Sequence, residues 1–144
     1  MPVLKYLADT NVISDAMRRE APVVEWLAAH PHEIAICSLS IAEIRLGIES
    51  KPDGKSRRDL ERKFGFIMEA FEGCVWTFDE AAAFEWGRLI ASARNRPIPF
   101  GDSLIAAITR SMGATVLTRN TRDFPACTCI DPWTGAETLP VWPA

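Results

Sequence analysis

Short apolar segments alternate with longer amphipathic ones along the chain, which predicts strands that alternate with helices. A strand at 3–8 leads into the start of a helix, because Asp9, Thr10 and Asn11 are residues that commonly begin one. This alternation is typical of an α/β fold in which helices cover both faces of a parallel sheet. The other predicted strands are 34–37, 75–78, 114–118 and, as a fifth, 127–130; the other predicted helices are 23–30, 41–50, 58–71, 80–94 and 102–114.

The length and composition indicate one domain over residues 1–144, with a tail from residue 132. A net charge of −3 means that any nucleic-acid-binding surface must be local. The cysteines and the two histidines lack the spacing of zinc ligands, so we expect reduced, structural thiols. The chain has neither a signal-peptide pattern nor an apolar run long enough to span a membrane, which predicts a cytoplasmic protein.

Four short stretches each place one acid near a strand end or a helix start. The four acids are Asp9, Glu43, Asp102 and Asp123. Parallel sheets bind their ligands outside the carboxyl ends of the strands, where Asp9 and the segment before Asp123 are expected to lie. Carboxylate oxygens are the ligands that hard divalent cations prefer. Four converging acids would repel one another, and a bound cation or raised pKa values would relieve that repulsion.

Each acid taken alone also fits a purely structural role. Asp9 and Asp102 could cap the amino termini of helices. Ser40 and Glu43 have the spacing of a capping box, and Asp123 could begin a turn before Pro125. No single acid identifies a site, so the interpretation depends on all four acids in their order along the chain.

The four stretches together resemble the motifs of PIN-domain nucleases, and in particular of the VapC toxins with their FitB-like branch. The matching segments are residues 9–11 (DTN), 43–47 (EIRLG), 102–107 (DSLIAA) and 118–124 (TRNTRDF). The resemblance runs from about residue 4 to residue 131 and leaves the tail unmatched. It implies a three-layer α/β/α fold with a central parallel sheet of four or five strands.

The resemblance further implies an endoribonuclease that depends on Mg²⁺ or Mn²⁺ and hydrolyses RNA phosphodiester bonds. Asp9 and Asp102 are expected to bind the metal directly, while Glu43 and Asp123 support them or hold a second ion. The resemblance also implies a homodimer that a small DNA-binding antitoxin keeps inactive. The candidate polar supporters are Asn11, Thr118 and Asn120, and the candidate phosphate contacts are Arg45, Arg94, Arg96, Arg119 and Arg122.

Three other features allow two interpretations each. The apolar stripe of residues 58–71 could pack into the core or form a groove for an antitoxin helix. The basic run 55–63 could bind RNA, although its acids favour a solvated helix face. Trp133 and Trp142 in the tail could pack on the body or mark an interface.

Three other functions compete with the toxin interpretation. One is a PIN nuclease that processes RNA without an antitoxin, which composition does not exclude. Another is a non-catalytic nucleotide-binding module, although the chain contains neither G-x-G-x-x-G nor a P-loop. The third is a regulatory protein with a decayed site, which the complete set of four acids disfavours.

Overall fold

The computed structural model describes residues 3–93 and 96–141. In this part of the chain strands and helices alternate much as the sequence predicts. The strands are β1 (Tyr6–Ala8), β2 (Ile34–Cys37), β3 (Val75–Trp76), β4 (Thr115–Leu117), β5 (Cys129–Ile130) and β6 (Glu137–Thr138). The helices are α1 (Thr10–Met17), α2 (Ala21–Ala29), α3 (Ser38–Glu49), α4 (Lys55–Ala70), α5 (Glu80–Ala93) and α6 (Phe100–Ser111), with a 3-10 turn at Thr121–Asp123.

The strands form one sheet in the order β3-β2-β1-β4-β5-β6. The first five strands are parallel, which confirms the predicted parallel sheet. Strand β6 adds an antiparallel edge, with Cys129 opposite Thr138. The sequence did not predict β6, because its residues are polar and exposed and carry no apolar alternation.

Two apolar clusters lie on opposite faces of the sheet. Neighbouring residues of β1 show the division, since Leu7 belongs to one cluster and Ala8 to the other. Helices α5 and α6 pack against the first face, and α1 to α4 pack against the second. Parallel strands that are buried on both faces are expected in such a three-layer α/β/α arrangement.

Helix α4 resolves the two interpretations of its apolar stripe. Phe64 is 6% exposed, and the other stripe residues pack against the same cluster, so core packing is confirmed. Its charged face forms ion pairs such as Arg62–Asp59 and Lys63–Asp59, which confirms a solvated face for the basic run. None of the helices that the structure describes is both long and apolar enough to cross a membrane.

The ends of two predicted helices differ from those observed. Helix α6 begins at Phe100 rather than at Asp102, and it ends at Ser111 shortly before Gly113, which has a φ of 64°. Glycine adopts this left-handed conformation without steric cost, so the helix stops there. Helix α5 ends at Ala93 within the described residues, and Arg94 lies outside them.

Candidate active site

The centre of the sheet places Asp9 beside the segment that follows β4. Asp9 comes directly after β1, and Thr118 comes directly after the adjacent parallel strand. The Asp9 amide donates a hydrogen bond to the carbonyl oxygen of Leu117 at 3.1 Å. Residues from two distant parts of the chain therefore meet at the carboxyl edge of the sheet, where such folds bind ligands.

Asp9 is 3% exposed, and both of its carboxylate oxygens accept hydrogen bonds. Oδ1 accepts from the Val12 amide at 2.9 Å, and Oδ2 accepts from the Thr118 hydroxyl at 2.6 Å. The first bond makes Asp9 the N-cap of α1, so the capping interpretation is confirmed for this acid. The same residue can also serve a site, because its second oxygen faces the β4 loop.

Burial raises the pKa of Asp9 from 3.8 to about 6. Hydrogen bonds from Thr118 and Val12 stabilise the carboxylate and oppose this rise, whereas the negative charge of Asp15 adds to it. The hydrogen bonds therefore do not fully replace the lost hydration of the charge.

Glu43 does not take part in a capping box. Helix α3 begins at Ser38 after Cys37, so Ser40 lies inside the helix and cannot be its N-cap. The buried Ser40 hydroxyl instead accepts a hydrogen bond from the Thr10 hydroxyl at 2.9 Å. The capping-box interpretation is wrong because the helix starts three residues earlier than the pattern requires.

The side chain of Glu43 reaches the first turn of α6. A Cβ atom built on Gly101 would lie 3.4 Å from Oε1 of Glu43, a tight contact. Glycine at position 101 therefore allows Glu43 to approach the turn that carries Asp102.

Asp102 lies in the first turn of α6 and does not cap it. Pro99 precedes the helix, and no side chain caps it there, so the N-cap interpretation is wrong for this acid. Ser103 fixes the turn, since its hydroxyl donates to the Phe100 carbonyl at 2.6 Å and accepts from the Trp86 indole at 3.0 Å. The carboxylate of Asp102 is half-buried and remains available for a ligand.

The pKa of Asp102 also rises from 3.8 to about 6, mainly through burial and then through negative charge. The charges that raise it belong to Asp123, Asp9 and Glu43, in that order. The structure thus brings the four acids predicted from the sequence into one electrostatic neighbourhood.

Asp123 ends the short 3-10 turn Thr121–Asp123. Its amide donates to the carbonyl oxygen of Asn120 at 3.0 Å, so Asp123 closes this turn, whereas the sequence suggested that it begins one. The next residue, Phe124, is 1% exposed and anchors the turn in the apolar cluster under α5 and α6. This anchor holds Asp123 near the other acids.

No lysine or arginine in the described residues forms an ion pair with any of the four acids. In the same part of the chain no group of three or more His, Cys, Asp or Glu side chains is arranged to hold a metal ion by itself. Carboxylate oxygens are the donors that hard cations such as Mg²⁺ prefer, commonly one or two of them with water as the other ligands.

The predicted polar supporters differ in their surroundings. Thr118 is buried and bonds Asp9 directly. Asn120 is exposed, and its amide rather than its side chain donates to the Thr118 hydroxyl at 3.0 Å. Asn11 is also exposed, and its side chain has no hydrogen-bond partner among residues 3–93 and 96–141.

The candidate arginines are also in different environments. Arg45 forms ion pairs with Glu49 and Glu61 between α3 and α4, so it is already neutralised. Arg119 is paired with Asp15, whereas Arg122 is exposed and has no ion pair with any described residue. Arg96 is exposed, and Arg94 lies outside the described residues.

A groove of about 520 Å³ between α1, α3 and α4 adds two cations that the sequence analysis missed, Arg18 and Lys51. Thr10 and Glu43 line it on the side of the acids, and Lys63 of the basic run 55–63 lines it as well. No local motif marks Arg18 and Lys51, because they come from separate segments of the chain.

The raised pKa of Asp9 predicts that this acid destabilises the cation-free protein near neutral pH. The native carboxyl binds a proton below about pH 6, whereas the unfolded one does so only near its ordinary value of 3.8. Stability should therefore fall as the pH rises from 4 to 7. Asp9→Asn should raise the free energy of unfolding at pH 7.5 by roughly 1–3 kcal/mol, and the gain should disappear near pH 4.

Urea unfolding in EDTA at several pH values measures this difference. Asp53→Asn is a matched control, since the Asp53 side chain is 99% exposed and should show no such gain. An Asp9→Asn variant less stable than the wild type at pH 7.5 would contradict the assigned effect of burial.

Comparison with known proteins agrees with this geometry. The PIN domain family model matches residues 6–126. Toxin FitB from Neisseria gonorrhoeae is 34% identical over 135 residues, which cover 88% of this chain and 97% of FitB. VapC ribonuclease Y4jK from Sinorhizobium fredii is 33% identical over 133 residues, 87% of this chain and 95% of the relative.

The crystal structure of FitAcB from Neisseria gonorrhoeae has the same fold as this chain. The TM-score is 0.81 at 31% identity, and the match covers 89% of this chain and 98% of the solved one. These matches confirm the resemblance that the four motifs indicate. The chain therefore belongs to the PIN-domain family, in the group that includes the VapC and FitB toxins.

Proposed function

We propose that the chain is a Mg²⁺- or Mn²⁺-dependent endoribonuclease and the toxin of a toxin–antitoxin pair, acting in the cytoplasm. The observation that carries the proposal is the group of four carboxylates at the carboxyl edge of the sheet, whose charges act on one another at Asp102. Burial is the main cause of the raised pKa values of Asp9 and Asp102, and the charges of Asp123, Asp9 and Glu43 raise the pKa of Asp102 further. A divalent cation would offset this negative charge. The names of the relatives, a toxin and a ribonuclease, support the choice of substrate.

Asp9 and Asp102 are the residues that would hold the cation. The Val12 amide and the Thr118 hydroxyl fix the two oxygens of Asp9, so its carboxylate keeps one orientation. Ser103 fixes the turn that carries Asp102. A bound divalent cation supplies a water of lowered pKa and offsets the charge that grows on the phosphate.

Glu43 and Asp123 add negative charge around this pair. Their charges raise the pKa of Asp102, so they also increase the attraction of the site for a cation. A carboxylate that does not bind the cation directly can orient its waters, as outer ligands commonly do. We assign Glu43 and Asp123 this supporting role.

The groove between α1, α3 and α4 would guide an RNA strand to the acids. Lys51 has no partner for its ammonium among the described residues, whereas Lys63 pairs with Asp59 and Arg18 pairs with Asp15. Such contacts position the phosphate backbone without reading the base sequence. The cations beside the four acids would therefore offset the repulsion between these acids and the RNA phosphates.

Exposed aromatic residues on α5 and α6 fit the homodimer that the sequence resemblance implies. Phe84 on α5 is 65% exposed and Phe100 on α6 is 70% exposed, and Trp86 packs edge-to-face with Phe100. Large exposed aromatic residues commonly mark protein interfaces. The antitoxin is the second expected partner, in line with the similarity to toxin FitB.

Cleavage of total cellular RNA by the purified protein tests the proposed activity. We expect discrete cuts with Mg²⁺ or Mn²⁺ and none with EDTA. Asp9→Asn and Asp102→Asn should each lower the rate by at least about 100-fold, because each removes a carboxylate from the cation site. Glu72→Gln is the matched control, since Glu72 is an exposed acid outside the site.

Two results would contradict the proposal. Cuts that persist in both variants would show a contaminating nuclease or different catalytic residues. A folded wild-type protein that cuts no RNA with either ion would reject the ribonuclease assignment.

Lys51→Ala tests the groove through the salt dependence of RNA binding. Loss of one phosphate contact should weaken binding to all sequences equally and reduce the slope of log K against log salt by about 0.7. Fluorescence anisotropy of a labelled single-stranded RNA measures this slope. Both lysine variants are made in the cleavage-deficient Asp102→Asn protein, so that the RNA stays intact. Lys5→Ala is the control, because Lys5 pairs with Glu33 and lies before β1; an equal change in both variants would exclude the groove.

A further inference from the structure

A second acid in α1, Asp15, is buried without belonging to the four-carboxylate site. It is 1% exposed, and both of its oxygens have partners from distant parts of the chain. Oδ2 accepts a hydrogen bond from the Trp133 indole at 3.0 Å and lies 3.5 Å from Nε of Arg119. Oδ1 accepts from Arg18 and, at 3.5 Å, from Arg119.

Arg119 also packs on the aromatic ring of the tail. Its guanidinium carbon lies 4.6 Å from the centre of the Trp133 ring, which is cation–π geometry. An Asx-type bond from the Trp133 amide to Asp131 at 2.8 Å fixes the start of the tail. Asp15, Arg119 and Trp133 thus form a closed contact between α1, the segment after β4 and the tail, which we term the latch.

The latch has a cost that packing alone does not explain. Removing a carboxylate from water costs several kcal/mol, and ion pairs formed in its place often recover little more than that. Val12 and Met17 in the same helix are buried and apolar, so burial by itself does not require a charge at position 15. A buried charge at this position is better explained by the segment that it holds in place.

The segment that Arg119 belongs to carries two parts of the acidic site. Thr118, one residue before Arg119, bonds Asp9, and Asn120, one residue after it, donates its amide to Thr118. The Asp123 amide in turn donates to the Asn120 carbonyl. These bonds connect the segment around Arg119 to Thr118 and Asp123, in addition to the sheet contact of Thr118 and the buried side chain of Phe124.

We propose that Asp15 and Trp133 are positioning residues, which clamp Arg119 and thereby hold Thr118 and Asp123 in place for cation binding and cleavage. The proposal gives the tail a role in the site, and it rests on the proposed function only where cleavage is measured. Two readouts are independent of RNA: the affinity for Mn²⁺ and the hydrogen exchange of the Asn120 and Asp123 amides.

The test compares Trp133→Phe with wild type and with Trp26→Phe. Trp133→Phe removes the indole N–H but keeps a ring under Arg119, and Trp26→Phe makes the same change in a tryptophan that stacks on His30 instead. Trp133→Phe should speed exchange of both amides, weaken Mn²⁺ binding and lower kcat, with KM little changed. Losses of roughly 10-fold to 100-fold are usual for residues that orient metal ligands.

Asp15→Asn and the double variant Asp15→Asn/Trp133→Phe complete a double-mutant cycle, which shows whether the two residues act through the same contact. If both residues act through Arg119, the double variant should lose little more Mn²⁺ affinity than the single variants. If Asp15→Asn does not fold, Trp133→Phe alone decides the question.

Trp133→Phe with wild-type Mn²⁺ affinity and amide exchange would overturn the proposal and leave the latch a simple packing contact. Additive losses in the double variant would also overturn it. If the wild type binds Mn²⁺ but cuts no RNA, the proposed function fails while these binding measurements still test the latch.

Discussion

The burial of negative charge where four carboxylates converge is the constraint on which the site depends. Asp9, Glu43, Asp102 and Asp123 come from separate segments, and none is neutralised by a described lysine or arginine. The rigid three-layer frame must therefore hold like charges together against their repulsion. Burial is the main cause of the raised pKa values of Asp9 and Asp102, and the negative charges of Asp123, Asp9 and Glu43 add to the rise at Asp102. A bound cation would offset this buried negative charge.

Different local contacts hold the individual acids in position. The amino terminus of α1 and Thr118 hold Asp9, Gly101 makes room for Glu43, and the Trp86–Ser103–Phe100 contacts fix the turn of Asp102. Buried Phe124 and, in our proposal, the latch hold Asp123. Hydrogen bonds and packing thus define the site before any ligand arrives, which agrees with the preorganisation that catalysis requires.

The sequence predicted the parts of the fold and site that depend on local patterns. Strand β2 matches its prediction at both ends, and the four acids lie together as their order and setting indicated. Contacts between distant residues were not predictable in this way. The bond from Trp133 to Asp15 joins residues 118 positions apart, and the bond from Thr10 to Ser40 replaced an expected capping box. Arg45 was a candidate for RNA, but it pairs with Glu49 one turn along α3 and with Glu61, which becomes its neighbour only when α4 packs on α3.

The most direct test of the central claim is the position of a bound cation. Crystals grown with Mn²⁺ and measured for anomalous scattering should show an ion in contact with the carboxylates of Asp9 and Asp102, with Glu43 and Asp123 nearby. The same peak should be absent from Asp9→Asn crystals. An ion bound elsewhere in the wild type, with Asp9 and Asp102 contacting no metal, would contradict the account.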